Sequence, residues 1–374
     1  MRILIHGGGL QGLSCGESLY KDHEIDVICD DENCLQSKFF KNRYFYNKSK
    51  EEYWEEIDIR NYDVIIPVSD KSISLHTRNK SFLLKYGVKI ATPDPETLRI
   101  VEDKNLFMNF CKENNLPHPI TLPLYPERIG KIIDKIIDKE WEIGYPALIK
   151  PNFSVGARGI TRVENSKELV EKFPEIFAIY GDCTLQEYID NPDFYYNVMM
   201  YRNSKGQILG SVIIKIVRKY PIQAGSSACC ISIENPELFE ICKSTLDKLN
   251  WVGMADFDIL QRLDNGEYKI IEINPRVPAS LRSAYVSGVN FPEIIIRDAA
   301  GLEPKTYDYT PGKTLRYLGL DLMWACKSKN LFNCKPGWFS FFSKNTYYQD
   351  IILSDPSTWR TWLTSGIKKL FNRH

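Results

Sequence analysis

Several features that commonly assign a chain to a functional class are missing from this sequence. Basic and acidic residues balance at 48 each, so no net charge draws the chain to nucleic acid. No run of eighteen apolar residues occurs, which predicts no transmembrane helix, and the N-terminus carries no signal-peptide cleavage pattern. The composition is typical of a globular protein, and we expect a cytoplasmic one.

Cysteine and histidine occur without the spacing that a structural framework or a metal site requires. The ten cysteines include no CxxC pair, and Cys229 and Cys230, although adjacent, are poorly placed to bridge each other. This arrangement fits a reducing compartment and argues against zinc. The five histidines stand in no Ser/His/Asp arrangement, so the sequence predicts no protein nucleophile.

The first ninety residues alternate short apolar segments with amphipathic ones. This alternation predicts a parallel sheet with crossover helices. The predicted strands cover residues 2–6, 25–29, 64–68 and 88–91, and the predicted helices cover 13–20 and 72–86. After Pro93 and Pro95 a further helix is predicted over residues 98–114.

The most informative stretch is a β-branched run that contains Glu272 and Asn274. Because the two residues are two apart on a predicted strand, their side chains share one face of a sheet. Asp258 lies on a predicted strand just upstream, and Asn265-Gly266 between them is a strong hairpin signal. A hairpin would bring all three oxygen-bearing side chains near one hard cation such as Mg²⁺.

Arg276 follows this run and carries a guanidinium fork that can meet a phosphate or a developing acyl phosphate. The same residues are also compatible with an ordinary β-hairpin that carries surface carboxylates. The remaining motifs favour the functional interpretation.

A second motif is suited to phosphate. A short apolar strand ends at Lys150, and the loop that follows, with Gly156 and Gly159, lets backbone N–H groups approach a ligand closely. Lys104, near the first domain junction, supplies another cation. The loop lacks the spacing of a Walker motif, and alone it would equally suit an ordinary hairpin.

A third motif is the strand over residues 184–189, which leads into a turn at Asn191-Pro192. The backbone of such an edge segment can pair with adenine, and Asp193 can hold ribose hydroxyls. Taken alone, Glu187 and Asp193 would be solvated loop charges.

Together and in this order, these motifs resemble the ATP-grasp superfamily, in particular the carbamoyl-phosphate synthase large subunit and carboxylate–amine ligases. The resemblance covers roughly residues 1–305. It implies an α/β architecture in which a Rossmann-like pre-ATP-grasp domain precedes an ATP-grasp fold of two α+β subdomains that hold ATP between them. The implied domains are 1–91, 92–305 with a lid subdomain about 118–185, and an aromatic-rich C-terminal extension over 306–374.

The resemblance also implies the cofactors ATP and two Mg²⁺ ions, for which Mn²⁺ can substitute. The implied metal ligands are Asp258, Glu272 and Asn274, and the implied catalytic cations are Arg276 and Lys215, the latter reaching the terminal phosphate. Phosphate contacts are implied for Lys104 and Lys150, and a covering loop is implied for Ser154, Val155, Gly156 and Gly159. The implied adenine hinge consists of Gln186, Glu187, Tyr188 and Ile189, and the implied ribose contact is Asp193.

The implied reaction is activation of a small-molecule carboxylate as an acyl phosphate, followed by attack of an amine and release of ADP and phosphate. Candidate substrate residues are Arg218, Ser226, Ser227 and Arg282, since an arginine can clamp a carboxylate; Arg218 could equally be a surface charge. Homodimers are common among members of the superfamily, and a homodimer is therefore one expectation, although the sequence leaves the oligomeric state open.

A rival interpretation starts from the glycines at 7–12, which satisfy GxGxxG after the first strand. Asp30 and Asp31 lie where a ribose-binding acid would stand in a dinucleotide fold. This pattern supports an NAD-dependent oxidoreductase as an alternative, and a non-catalytic nucleotide-binding subunit is a third.

The segment 306–374 is rich in aromatic and basic residues, with a helix predicted over 358–371. One interpretation is that its aromatic side chains pack back on the main body. The alternative is an interfacial helix or acceptor-binding cap, through which the tail would make peripheral contact with a membrane surface.

Overall fold

The computed structural model describes residues 1–46, 53–54, 57–131, 143–153, 158–222, 225–357 and 359. The strands within this part of the chain are β1 Arg2–His6, β2 Glu24–Cys29, β3 Arg43–Phe45, β4 Val64–Pro67, β5 Thr121–Leu124, β6 Ala147–Pro151, β7 Thr161–Val163, β8 Cys183–Glu187, β9 Tyr195–Arg202, β10 Ile208–Tyr220, β11 Ser226–Ile233, β12 Gly253–Gln261, β13 Tyr268–Asn274, β14 Thr314–Arg316 and β15 Thr346–Tyr348.

The α-helices within the same ranges are α1 Gly9–Leu19, α2 Glu32–Gln36, α3 Asp70–Arg78, α4 Lys80–Lys85, α5 Pro95–Glu102, α6 Lys104–Glu113, α7 Ser166–Tyr180, α8 Pro236–Lys248, α9 Leu281–Val286, α10 Phe291–Ala299 and α11 Leu318–Lys327. Short 3₁₀ turns cover Ile59–Asn61 and Pro126–Arg128. In the described ranges, no helix has both the length and the apolar character needed to cross a membrane.

The chain divides into two compact units, each assembled from separate stretches of sequence. The first contains Met1–Pro95, Tyr196–Asp256 and Asn274–His374, and the second contains Glu96–Tyr195 and Phe257–Ile273. The division into three consecutive domains stays a prediction.

The first unit begins with a sheet in the order β3-β2-β1-β4. All of its pairings are parallel, as the alternation of apolar and amphipathic segments predicts. Parallel sheets are usually buried on both faces, and in the two central strands, β1 and β2, every residue after the first is buried. A core cluster around Leu4, Ile65 and Val88 packs beneath this sheet.

The fourth predicted strand, over residues 88–91, is wrong. The segment makes one isolated bridge, Val64 to Lys89, and then leaves the sheet toward Pro93. The fourth strand of the sheet is instead β3, at the opposite edge beside β2, and its first and last side chains are exposed.

Two predicted long helices are each divided in the structure. The helix predicted over 72–86 breaks at Asn79, which caps α3 and precedes α4. The helix predicted over 98–114 breaks at Asp103, whose carboxylate accepts hydrogen bonds from the N–H groups of Asn105 and Leu106 and so begins α6. Short side-chain caps therefore override the continuous apolar pattern.

The first unit also contains the strand sequence β9-β10-β11-β14-β15. β14 pairs antiparallel with β11 and parallel with β15, so two strands of the C-terminal extension complete this sheet. Trp324 on α11 is buried, in agreement with packing of the extension on the main body. The helix predicted over 358–371 lies outside the described residues, Trp359 apart.

The second unit is built on an antiparallel sheet in the order β5-β8-β6-β7. Its core contains Ile149, Leu169 and Phe173, which brings α7 onto the sheet. The unit also contains most of β12 and β13, neighbouring strands that a turn with Gly266 at φ +78° connects. The predicted hairpin is therefore present.

Candidate functional site

The candidate site in the second unit centres on Lys150 in β6. Its side chain is 5% exposed, and burial lowers the pKa of its ammonium group to about 8. The nearby Glu272 carboxylate raises that pKa, the Lys104 ammonium lowers it further, and the Asp258 carboxylate raises it. Four predicted site residues from distant parts of the sequence therefore share one electrostatic environment.

Backbone hydrogen bonds explain how Lys104 reaches this environment. Its N–H donates to the carbonyl of Asn152 at 3.4 Å, two residues beyond Lys150. The N–H of Asn152 in turn donates to the carbonyl of Asp182 at 2.8 Å. The role of Asn152 was not predicted from the sequence, since its contribution is a main-chain contact that has no sequence signature.

The two carboxylates are placed by the hairpin. Asp258 on β12 and Glu272 on β13 are partly exposed, whereas their neighbours Phe257 and Ile273 are buried, as strand alternation requires. Mg²⁺ is usually bound by one or two carboxylates together with substrate phosphates. A pair of carboxylates with two lysines beside them fits that donor set, whereas a zinc site would need cysteine or histidine.

The predicted adenine hinge is held by the side chain of Glu187. One carboxylate oxygen forms an ion pair with Arg262, and the other accepts a hydrogen bond from the Ile120 N–H at 3.0 Å. The Glu187 N–H donates back to the Ile120 carbonyl at 2.8 Å. Gln186 is buried and donates to Thr121 at 3.0 Å. The side chains of the hinge thus fix its backbone.

The turn beyond the hinge is ordered by Asn191. Its side chain donates to the carbonyl of Gln261 at 2.8 Å and accepts from the Asp193 N–H at 3.3 Å. The Asp193 side chain is exposed, Ile189 is buried, and the Tyr188 ring has the guanidinium of Arg162 4.3 Å from its centroid.

Of the predicted covering loop, Gly159 lies within the described residues and Ser154, Val155 and Gly156 lie outside them. Gly159 has φ +74°, and a Cβ there would stand 2.7 Å from the Tyr180 ring and 2.8 Å from Pro151. Glycine is therefore required at this position for both backbone and packing reasons.

The predicted residues of the first unit have their own partners. Asn274 donates to the Asp256 carbonyl at 3.4 Å, and Arg276 donates to the Asn274 side-chain oxygen at 3.3 Å. Arg276 also forms an ion pair with Asp70. Lys215, partly buried on β10, has its ammonium nitrogen 5.7 Å from the centroid of the Tyr196 ring.

The low-exposure arginines proposed for substrate are engaged elsewhere. Arg218 is 1% exposed and forms a buried ion pair with Asp321, the Nε–Oδ1 distance being 2.6 Å. Arg282 pairs with Glu17 through two hydrogen bonds of 2.7 and 2.8 Å. Both guanidinium groups are thus paired with carboxylates of the chain itself. The surface-charge alternative for Arg218 is therefore wrong, and the substrate role of the two arginines stays a prediction.

The serines of the same predicted set lie at the start of β11. Ser226 is exposed and Ser227 is partly buried, and they pair in register with Tyr220 and Lys219 of β10. Their accessibility is compatible with an acceptor contact.

The glycine fingerprint has a packing explanation. A Cβ on Gly8 would stand 2.5 Å from the Cβ of Asp31, and one on Gly12 would stand 2.8 Å from the Gly7 carbonyl oxygen. Asp31, the predicted ribose acid, instead caps α2 by accepting a hydrogen bond from the Cys34 N–H at 2.9 Å. These contacts give the motif a structural role in the turn.

Comparison by sequence places part of the chain in a known family. Residues 187–319 match the family model described as "ATP-grasp in the biosynthetic pathway with Ter operon". The carbamoyl phosphate synthase large chain of Methanothermobacter thermautotrophicus is 28% identical over 226 residues, which cover 58% of this chain and 21% of that one. The chain thus spans about a fifth of the length of that relative.

Comparison by structure gives the fold. The biotin carboxylase domain of the Hydrogenobacter thermophilus 2-oxoglutarate carboxylase, solved with MgADP, ADP and bicarbonate, has a TM-score of 0.66 at 16% identity and covers 83% of this chain and 72% of its own. N5-carboxyaminoimidazole ribonucleotide synthetase from Thermotoga maritima has a TM-score of 0.60 at 21% identity, with coverage of 82% and 78%.

None of these similarities favours an NAD-dependent oxidoreductase or a non-catalytic subunit. The chain is thus similar to ATP-grasp proteins in sequence over residues 187–319, and it is similar in fold to the biotin carboxylase domain.

Proposed function

We propose that the protein is an ADP-forming ligase that joins a small-molecule carboxylate to an amine at the expense of ATP. A carboxylate oxygen attacks the γ-phosphorus of ATP, and the bond to the bridging oxygen breaks to release ADP. The amine nitrogen then attacks the acyl carbon of the acyl phosphate, phosphate departs, and the nitrogen loses a proton. The products are a C–N bond, ADP and phosphate.

The observation that carries this proposal is the environment of Lys150. A buried lysine whose pKa is lowered to about 8 sits with a second lysine and two carboxylates. Perturbed titratable groups of this kind are more frequent at functional sites than elsewhere. The lysines suit phosphate oxygens, and the carboxylates suit the divalent cation that accompanies a nucleotide.

The proposed metal ligands are Asp258 on β12 and Glu272 and Asn274 on β13, Asn274 being the last residue of that strand. Mg²⁺ bound there would neutralise charge on the phosphate oxygens. Catalysis is then mainly positioning and charge stabilisation, with Lys215 and Arg276 proposed as the cations that meet the transferred phosphoryl group and the acyl phosphate.

Proposals for the nucleotide follow from the hinge. The backbone of residues 186–189 is proposed to pair with adenine, and Asp193 with ribose. Support comes from the fixed geometry of Glu187 and from MgADP in the solved Hydrogenobacter domain. Lys104, Lys150 and the loop that contains Gly159 are proposed to meet the phosphates.

The test is trapping of the acyl phosphate. Purified protein, Mg-ATP, a mixed carboxylate pool and hydroxylamine are incubated together, and ADP and hydroxamates are measured by mass spectrometry. ADP with a new hydroxamate supports the proposal and identifies the carboxylate. AMP in place of ADP would indicate adenylation and contradict the mechanism.

A matched pair of variants assigns the activity to the proposed site. The double variant Asp258→Asn with Glu272→Gln removes two proposed metal ligands and should abolish hydroxamate formation. Asp264→Asn changes an exposed carboxylate in the turn of the same hairpin and should leave it intact. Equal activity in the two proteins would exclude the hairpin as the metal site.

A further inference from the structure

The surface segment 326–345, from the last two residues of α11 to the start of β15, exposes large aromatic side chains. We call it the aromatic–basic loop. Phe342 is 101% exposed, Phe332 83% and Phe339 60%, and the rings of Phe332 and Phe339 stack with centroids 5.9 Å apart. Isolated exposed apolar residues are ordinary, whereas a group of exposed phenylalanines in one short segment marks an interaction surface.

The aromatic–basic loop is anchored from beneath by other aromatic side chains. Trp338 donates through Nε1 to the Asp321 carbonyl at 3.3 Å, and its ring meets that of Phe341 edge-on at 4.9 Å. Arg316 lies 4.2 Å from the centroid of Phe341. The residues next in sequence, Phe339 and Phe342, point outward. A fixed base therefore presents the exposed rings.

The charge of the aromatic–basic loop has one sign. Lys327, Lys329, Lys335 and Lys344 are all exposed. No aspartate or glutamate occurs between Asp321, which is buried in its ion pairs, and Asp350, which is also buried. Positive charge around protruding aromatic rings is complementary to an anionic surface with an apolar interior.

We propose that the aromatic–basic loop docks the protein on an anionic lipid bilayer. Phe332, Phe339 and Phe342 enter the region between headgroups and acyl chains, and the four lysines meet lipid phosphates and carboxylates. Protruding phenylalanine rings can enter a lipid bilayer, which is soft and penetrable, more readily than the flat or concave face of another protein. The contact is peripheral and independent of the proposed ligase reaction.

Cosedimentation of the full-length chain with vesicles tests the proposal. Vesicles of phosphatidylcholine with about one third phosphatidylserine should bind the protein, and vesicles of phosphatidylcholine alone should bind it roughly tenfold more weakly. The double variant Phe339→Ser with Phe342→Ser, and the double variant Lys335→Glu with Lys344→Glu, should each lower binding to the anionic vesicles by roughly tenfold.

Matched variants elsewhere on the surface serve as controls. Phe45→Ser removes a phenylalanine on β3 that is 67% exposed, close to the value for Phe339, and Lys205→Glu reverses the charge of an exposed lysine in the turn between β9 and β10. Neither should change vesicle binding. Retained binding in both loop variants, or equal loss in the controls, would overturn the proposal. A dimer in solution that Phe339→Ser with Phe342→Ser dissociates would also overturn it, because the loop would then be a contact between copies of the chain.

Discussion

The guanidinium of Arg276 is oriented by Asp70, with Nε 2.9 Å from Oδ1 although the two residues stand 206 positions apart. Asp70 lies in the first turn of α3, where the helix begins with a capping box between Ser69 and Ser72. Arg276 also donates to Asn274. A side chain held on two sides has few orientations left, which is the condition for a preorganised cation.

We expect Asp70→Asn to lower the rate of hydroxamate formation by about tenfold with little change in the KM for ATP, because Asp70 orients Arg276, the proposed catalytic cation. Asp70→Glu should restore part of the rate. Steady-state kinetics of the two variants, corrected for folded protein, measure this. Asp58→Asn, which removes an exposed partner of Arg60, is the control. A loss in thermal stability without a change in kcat would show that the ion pair is only structural.

Binding of Mg-ATP should take up protons at pH 8.5. Burial lowers the pKa of Lys150 to about 8, so a substantial fraction of the free protein is uncharged there. Phosphate oxygens favour the ammonium form and raise this pKa, so the complex binds more protons than the free protein at pH values above about 8. Near pH 7 Lys150 is mostly charged in both states, and uptake should be small.

Isothermal titration in buffers of different ionisation enthalpy measures this uptake directly. Lys150→Arg, with a side chain that stays charged, should bind nucleotide without it. Lys112→Arg, at an exposed position in the last turn of α6, should behave as the original protein. Uptake that persists in Lys150→Arg would assign the proton to another group.

Glu187→Ala should weaken ATP binding by about tenfold, since the variant loses a charged hydrogen bond to Ile120 and the ion pair to Arg262 that fix the hinge. Binding of tripolyphosphate, which has no adenine, should change little. Asp264→Asn removes a different partner of Arg262 and is the control. Equal losses of affinity for ATP and for tripolyphosphate would mean that Glu187 affects phosphate binding or folding.

Local signals in the sequence predict local structure well. Asn265-Gly266 and two alternating runs were sufficient for the hairpin that carries Asp258 and Glu272. The helix breaks at Asn79 and Asp103 were missed because an apolar pattern of helical period continues through both, and side-chain caps decide the boundary. The edge strand β3 was missed because an exposed edge need not alternate.

Long-range partners are the part that one sequence does not contain. Nothing near Arg276 indicates Asp70, and nothing near Arg218 indicates Asp321, 103 positions away. The sequence around an arginine that binds a substrate does not differ recognisably from the sequence around an arginine that pairs with a buried carboxylate. The proximity of Lys104, Lys150 and the two carboxylates was accordingly implied by a family resemblance, and only the electrostatics of the folded chain give it independent support.

Asp321→Asn should destabilise the protein by about 3–5 kcal/mol, the range for removal of one partner from a buried ion pair. Asp321 is 0% exposed and accepts hydrogen bonds from Arg218 and Arg316, so the variant leaves two buried guanidinium groups without a counter-charge. Urea denaturation measures the change. Asp308→Asn, at an exposed site, should have no effect. A loss below about 1 kcal/mol would mean that water reaches the cluster.

Acid should destabilise the protein partly through His76, which is fully buried and neutral. The geometry is that of the neutral Nδ1–H tautomer: Nδ1 donates to the Ser72 carbonyl at 2.6 Å, and Nε2 accepts from the Tyr53 hydroxyl at 2.9 Å. Burial lowers the pKa of His76 to about 4, and burial together with His76 lowers that of His6.

Because the unfolded chain has an ordinary histidine pKa near 6.5, it binds more protons than the folded chain between about pH 4 and 6.5. The stabilisation is therefore complete above pH 6.5 and is lost as the pH falls toward 4, by roughly 3 kcal/mol for His76. Urea midpoints at pH 5 and pH 7 for the original protein and for His76→Gln measure this difference. The variant, although less stable at pH 7, should lose less stability on acidification. An identical pH dependence in the two proteins would assign the acid sensitivity to other groups. His6→Gln is the second variant to measure, because burial also lowers the pKa of His6.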